Sequence, residues 1–388
     1  MKDLPLVETY GAPHQRGRQY GEQARDRIRY GVEHYTAQIG SYGIDRDELG
    51  ALANDLLPRI TAFDAEFVTE MEGIAAGAGL GLNDIVLLNA RTELLQLARQ
   101  CGRQRGLLPE LDPDGCTGLI VLPEMTRDGT LIHAQNWDWK AECADTAIVL
   151  RVSGTGGPDI LTFAEAGQLA RSGMNSAGIS ITANYLECER DYRDIGVPLA
   201  LLRRKVLKQT HLAPALRAAY VTRKSASNNI MIAEARGFGI DIECAPDESF
   251  SQSAQNGLLV HANHWQSPIA LSKLRDTGID STPDSLYRDM RVRQILESAG
   301  RAVTLNTVKQ ALFDDYQTPY AVCRPPRPGS SGNLTATVAM IVMQPALGRM
   351  EVALLPAINT QFHHFSITTA PAGADADNNQ KLNRETTT

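Results

Sequence analysis

Asp114-Gly115-Cys116-Thr117 is where residue type and spacing point most directly to chemistry. The stretch CGRQRGLLPELDPDG at 101–115, rich in Pro, Gly and charge, reads as an exposed loop that ends there, and the apolar run Leu119-Ile120-Val121-Leu122 begins just beyond it. Gly115 leaves the carbonyl ahead of Cys116 without steric cover. A thiol held against that carbonyl in a strained turn can attack it, move the acyl group from nitrogen to sulfur and leave a thioester for water. The cut would free the α-amino group of Cys116, whose ordinary pKa of about 7.7–8.0 lets it take the thiol's proton near neutrality. One residue would then be both nucleophile and base. A Gly-Cys pair before a strand equally suits a small buried hydrophobe, and the residues alone leave both readings open.

The other candidates divide in the same way. Asp138, in Gln135-Asn136-Trp137-Asp138-Trp139, is either a site carboxylate or a strand-end carboxylate satisfied by backbone donors. Arg324 precedes Pro325-Pro326 and is either a solvated loop cation or, given Val322-Cys323 before it, a cation emerging from a buried strand. Asn263 can be a turn former. His261 and His264 lack both an HExxH frame and a cysteine cluster, so no metal is expected there. Cys101, Cys143, Cys188, Cys244 and Cys323 form no CxxC pair and read as packing residues. Asp241 and Glu243 alternate with Ile240 and Ile242, the mark of a half-exposed strand rather than of paired catalytic acids.

The elements that must position these residues change character at Cys116. Residues 15–98 carry a helical pattern, with Ile60, Phe63, Phe67, Met71 and Ile74 on one amphipathic helix behind Pro58, and with Asn83-Asp84 as the cap of another. Beyond Cys116, β-rich runs are expected at 119–122, 130–134, 147–152, 160–163 and 179–183, then at 229–233, 239–243, 335–343 and 350–355. Helices return near 197–222 and 284–314, the second interrupted near Gly300. Runs of strand followed by runs of helix fit two packed antiparallel sheets with helices outside, an α+β arrangement.

The chain of 388 residues, 43% hydrophobic and 21% charged, is sized for one large body or two intimately packed segments. A net charge of −7 gives no broad attraction to nucleic acid, and no apolar stretch approaches a membrane span. With no secretory opening and the ending Glu385-Thr386-Thr387-Thr388, a cytoplasmic protein is expected.

Asp114-Gly115-Cys116-Thr117, with Asp138 twenty-two residues after the cysteine, resembles the acyl-coenzyme A:6-aminopenicillanic acid acyltransferase (isopenicillin N acyltransferase) family. Asn89-Ala90-Arg91-Thr92-Glu93, Gly173-Met174-Asn175-Ser176-Ala177-Gly178, Gly196-Val197-Pro198, His261-Ala262-Asn263-His264 and Cys323-Arg324 are similar to it too. A more distant similarity is to penicillin V acylase and choloylglycine hydrolase. The resemblance implies an N-terminal-nucleophile αββα sandwich that cuts itself between Gly115 and Cys116. It implies a helical segment 1–115 ending in the cleavage loop and a catalytic segment 116–369, which stay together as a heterodimer; 370–388 would be a disordered tail. Carried onto this chain, it implies Cys116 as nucleophile, Asp138 beside its amine and thiol, Asn263 as donor to the oxyanion and Arg324 as the cation that keeps Asp138 ionised. Tyr185, Trp265 and Tyr320 are candidates for the substrate walls. Two positions after the cysteine the family's fungal enzyme carries a hydroxyl residue and this chain has Gly118, so that supporting hydrogen bond is absent or comes from Thr117.

The expected activity is hydrolysis of an amide through an acyl-thioester, with no cofactor. The alternatives are transfer of an acyl group from coenzyme A or an amide donor to an amine, a conventional thiol hydrolase that stays uncut, and a binding scaffold without chemistry. A small-molecule amide or thioester is the expected partner, and neither nucleic acid nor a membrane.

Overall fold

The computed structural model describes residues 3–106, 115–329 and 334–369. The chain enters through β1 (Leu6–Tyr10) and continues through α1 (Pro13–Gln23), α2 (Arg25–Gly40), α3 (Arg46–Phe63), α4 (Ala65–Ala78), α5 (Leu82–Asn89) and α6 (Arg91–Gln104). Strands dominate next: β2 (Thr117–Val121), β3 (Ile132–Lys140), β4 (Ala147–Ser153), β5 (Ile160–Glu165), β6 (Ser172–Asn175) and β7 (Ile179–Tyr185). Then come α7 (Leu199–Leu207), α8 (Leu212–Val221), β8 (Asn228–Glu234), β9 (Phe238–Cys244), β10 (Ser249–Ser253) and β11 (Leu258–His261). The last part holds α9 (Pro268–Leu271), α10 (Ser285–Ser298), α11 (Leu305–Leu312), β12 (Arg327–Pro328), β13 (Leu334–Gln344), β14 (Arg349–Leu354) and β15 (His363–Ser366).

Among the described residues the strands form two sheets, in the orders β1-β4-β5-β6-β7-β8-β9-β10 and β11-β2-β3-β13-β14-β15, with β12 on β13. They meet face to face through β2 and β3 on one side and β7 and β8 on the other. Helices α7 and α8 lie against the first sheet, and α10 and α11 against the second. This is the expected αββα sandwich. One pairing departs from it: β1 joins β4 in parallel, so the segment before Cys116 is helical except for an edge strand built into the first sheet.

Burial on both faces explains why β2 reads TGLIV without a polar alternation. Leu119 and Val121 pack with Val292, Leu296 and Leu312 of α10 and α11, whereas Ile120 faces Met231 and Ala233 of β8. By the same period of two, Thr117 faces α10, and Gly118 looks into the space between the sheets. That space carries hydrogen-bonded polar groups: His133 bonds Ser180 and Thr182 at 2.8 and 2.9 Å, and Gln135 donates to Asn184 at 2.7 Å.

The single helix expected over Ile60–Ile74 is two helices. Asp64 between them is extended (φ −164°, ψ 104°) and its carboxylate accepts from Glu66 N at 3.1 Å, an N-cap that starts α4 afresh. The apolar spacing persists across the break because both helices bury the same side, and Pro58 sits inside α3. Asn83-Asp84 likewise lies in the first turn of α5; Gly81 is the cap, and its N–H donates to Asp84 Oδ2 at 3.0 Å. Helices α1 and α4 meet backbone to backbone: a Cβ added at Gly17 would collide with Glu70 O, and one at Gly73 with His14 O.

Asp241 and Glu243 are buried rather than half exposed. The partner that makes this tolerable is His261 of the other sheet, whose Nε2 is 2.8 Å from Glu243 Oε1 and 3.8 Å from Asp241 Oδ2. Glu243 also accepts the N–H of Gln266 at 2.5 Å and of Ser267 at 3.0 Å. Despite burial, which opposes its charge, these two carboxylates push the His261 imidazolium up to about 9. Cys143, Cys188, Cys244 and Cys323 are buried as expected, and Cys101 is half-buried. No single described helix is long and apolar enough to cross a membrane. The expected tail at 370–388 lies outside the described residues.

Candidate active site

Cys116 sits one residue ahead of β2, and the antiparallel register of β2 with β3, Thr117 opposite Asn136, sets it at the Trp137–Asp138 end of that strand. Its thiol is buried, 3.9 Å from the Asp138 carbonyl oxygen. Asp138 is in the body of β3, not at a strand end. Opposite it is Thr337, next to an irregularity in the β3–β13 register between Thr337 and Ala339, a bulge of the kind that re-aims side chains. The Thr337 hydroxyl donates to Asp138 Oδ1 at 2.7 Å and accepts the N–H of Arg324 at 2.8 Å. Arg324 Nε stands 3.1 Å from Asp138 Oδ2, and its Nη2 pairs with Asp284. Arg324 is therefore a buried site cation, not a solvated loop residue.

Asn263 follows the end of β11. Its carboxamide N–H donates to Tyr185 O at 2.8 Å, its Oδ1 accepts from Arg288 at 2.9 Å, and its backbone N–H donates to Ser285 Oγ at 2.7 Å. The side chain is thus oriented from two elements, β7 and α10. Arg288, buried on α10, donates from Nε to Asp284 at 2.8 Å and from Nη1 to the Gly115 and Cys116 carbonyls and the Thr117 hydroxyl, each at 2.8 Å. Thr117 thus offers its hydroxyl to Arg288 on the α10 side of β2, the face opposite to Gly118. A Cβ at Gly118 would lie 3.2 Å from Met231 Sδ, so the bare glycine also fits the packing between the sheets.

One cavity has Cys116, Asn263 and Tyr185 in its wall, together with Asn89, Arg91, Thr92 and Glu93 from the junction of α5 and α6, and Arg171 and Arg203. Arg91 is clamped to Glu165 at 2.7 Å and lies 4.6 Å from the centre of the Trp139 ring. Arg171 lies 3.9 Å from the centre of the Trp137 ring. Burial pushes the Glu93 carboxyl up to about 7, so it titrates near neutrality.

Of the three residues expected in the walls, Tyr185 is there. Trp265 is not: it packs edge-on against Phe250 at 6.1 Å in a separate small core and donates its indole N–H to Glu187 O. Tyr320 is 48% exposed and stacks with Arg327, also away from the cavity. An aromatic residue's position in sequence does not say which layer it fills.

Arg288, Asp284 and Thr337 were not legible beforehand. Asp284 and Arg288, four apart at a helix start, look like an ordinary surface ion pair, and Thr337 is one polar residue in an apolar strand. The segment 89–93 did carry a signal, as one of the family-like stretches, though it named no role.

An αββα sandwich with a cysteine, a carboxylate, a carboxamide and two guanidinium groups gathered beside one cavity is the frame of an acyl-transfer enzyme. The chain belongs to the acyl-coenzyme A:6-aminopenicillanic acid acyl-transferase family, whose model matches residues 125–355, a span that begins after Cys116. It is 29% identical over 336 residues to the acyl-coenzyme A:6-aminopenicillanic-acid-acyltransferase 40 kDa form of Emericella nidulans, covering 85% of this chain and 87% of that protein. Among solved structures, a mutant form of conjugated bile acid hydrolase from Clostridium perfringens aligns with a TM-score of 0.44 at 12% identity, over 65% of this chain and 92% of its own. Penicillin V acylase from Agrobacterium tumefaciens aligns with a TM-score of 0.45 at 15% identity, over 65% and 86%.

Proposed function

We propose that the chain cuts itself between Gly115 and Cys116 and then uses the Cys116 thiol to open a small-molecule amide through an acyl-thioester. The observation that carries this reading is the setting of the Gly115–Cys116 bond. Its carbonyl is held by a buried guanidinium, and its cysteine lies in a cavity wall beside Asn263.

The free amine of Cys116 would take the thiol proton, and Asp138, held by Arg324 and Thr337, would orient that amine. The carboxamide of Asn263 would donate to the oxyanion of the substrate. Thiolate attack forms the carbon–sulfur bond and the amine leaves with the proton; water then releases the acid and restores the thiol. An amine in place of water makes the same enzyme an acyltransferase. The relative from Emericella nidulans is named for that reaction and for acyl-coenzyme A, which favours this as the second reading.

The two pieces are expected to remain together. Strand β1 pairs with β4 across the cut, and the main core joins residues of α1–α6 to those of β4, β5 and α7.

The test is the intact mass of the purified protein beside Cys116→Ala. Two masses dividing at 115/116 in the wild type and one in the variant support the reading. A single mass with full activity favours a conventional thiol hydrolase, and indifference of every function to Cys116→Ala favours a scaffold. Assays of amides with and without an acceptor amine, and of acyl-coenzyme A with that amine, then separate hydrolysis from transfer.

A further inference from the structure

We infer that Arg288 is a catalytic residue of the cut itself, the group that receives the negative charge when the Gly115 carbonyl is attacked. The inference rests on the self-cleavage proposed above.

Arg288 Nη1 is 2.8 Å from Gly115 O, the atom that becomes the oxyanion, and 2.8 Å from Cys116 O on the other side of the bond. The guanidinium cannot swing away. Its Nε is bonded to Asp284 at 2.8 Å, its Nη2 to Asn263 Oδ1 at 2.9 Å, and the side chain has no exposed surface. A donor fixed in this way stabilises charge as it develops, with no reorganisation at the moment of reaction.

The charges around it support the same role. Arg288 and Arg324 face the carboxylates of Asp138 and Asp284, two cations against two anions, so the uncut cluster is balanced. Attack by Cys116 sulfur forms the carbon–sulfur bond and moves the carbonyl pair onto Gly115 O, placing one negative charge on that oxygen beside Nη1, while the thiol proton passes to the Cys116 nitrogen. When the intermediate collapses, the carbon–nitrogen bond breaks and nitrogen leaves as the Cys116 amine, carrying the thiol proton. Water adds to the thioester carbon, the sulfur leaves and regains its proton, and Gly115 ends as a carboxylate.

The two arginines have separate tasks. A Cβ on Gly115 would come within 2.5 and 2.6 Å of the Arg324 Nη1 and Nη2 atoms, so Arg324 packs on the α-carbon and requires glycine there. Arg288 alone of the pair is hydrogen-bonded to the carbonyl oxygen among the described contacts. Its bonds to Thr117 and Asn263 do not involve the scissile bond, so after the cut it would go on orienting the Asn263 carboxamide.

The test follows the uncut mass of full-length wild type, Arg288→Met, Arg288→Gln and Arg288→Lys over time, in the soluble folded pool, with and without hydroxylamine to open a thioester. Expected are a cut slowed by ~100-fold or more in the two neutral variants, partial recovery with lysine and no acceleration by hydroxylamine, because the acyl shift itself is blocked. A neutral variant cut at the wild-type rate, or one whose rate hydroxylamine restores, overturns the role. Should neither neutral variant give a soluble pool, the lysine variant decides: a slowing of about 10-fold supports it, and the wild-type rate overturns it. A wild-type chain that never cuts removes the underlying reading instead.

Discussion

Asp138 and Thr337 face each other across the β3–β13 pair, and the threonine hydroxyl donates to carboxylate Oδ1 at 2.7 Å. The same hydroxyl oxygen accepts the N–H of Arg324, so one side chain holds both the anion and the cation beside Cys116. Thr337→Val keeps the shape and removes both bonds. It is expected to lower stability by about 1–3 kcal/mol, because a buried N–H and a carboxylate oxygen lose their partner, and to slow acylation of Cys116. Denaturant unfolding and the rate of thiol labelling by an acylating probe check this, with Thr337→Ser expected to recover both.

Gly118 stands where a hydroxyl residue was expected from the resemblance. A Cβ there would lie 3.2 Å from Met231 Sδ and 3.5 Å from Asn184 Nδ2 and Thr182 Oγ1. Gly118→Ser is therefore expected to cost about 1–3 kcal/mol by overpacking between the sheets. Because Thr117 already supplies a hydroxyl to Arg288, the rate of cutting should not rise. Unfolding curves and a mass time course measure the two effects separately.

The buried triad of Asp241, Glu243 and His261 sets a pH dependence. The imidazolium of His261 is held at about 9, above its ordinary 6.5. Its contribution to stability is thus complete below pH 6.5 and lost as pH rises through 9. Burial raises Asp241 to about 6, so that group adds its loss at lower pH, between 3.8 and 6. Urea unfolding at pH 6.5, 8 and 9.5 is expected to show falling stability in the wild type. His261→Gln should be less stable at pH 6.5 and flatter across that range.

Gly73 allows the backbones of α1 and α4 to touch, and a methyl group there would overlap His14 O. Gly73→Ala is expected to destabilise by about 3 kcal/mol, at the upper end for an overpacked core, because two helices must separate. The midpoint of thermal unfolding is the readout. An unchanged midpoint would mean that the helices slide apart at no cost.

Much of the site's identity was legible because chemistry is carried by residue type. A glycine-cysteine junction after a charged, Pro- and Gly-rich stretch of sequence, the aspartate between two tryptophans and the asparagine between two histidines could all be picked out, and the structure brings Cys116, Asp138, Asn263 and Arg324 together. Helical periodicity located the first segment, yet it ran through Asp64 without seeing the break, because a cap changes the backbone and leaves the apolar spacing intact. Alternation failed at Asp241 and Glu243 for a related reason. It reports which face a side chain takes, and the buried histidine that neutralises that face comes from another sheet.

The sequence by itself determined the change from helices to strands at Cys116 and the candidate chemistry of that residue, since both depend on local pattern and side-chain type. Only the tertiary structure decided which charges surround that thiol. Arg288, Asp284 and Thr337 join Gly115, Arg324 and Asp138 from α10, the residue before α10, and β13, at separations where no sequence period operates. It also decided that Tyr185 faces the cavity while Trp265 and Tyr320 do not. The physical reason is that burial and ion pairing are properties of surfaces brought into contact, and those surfaces exist only once the two sheets and their helices have packed.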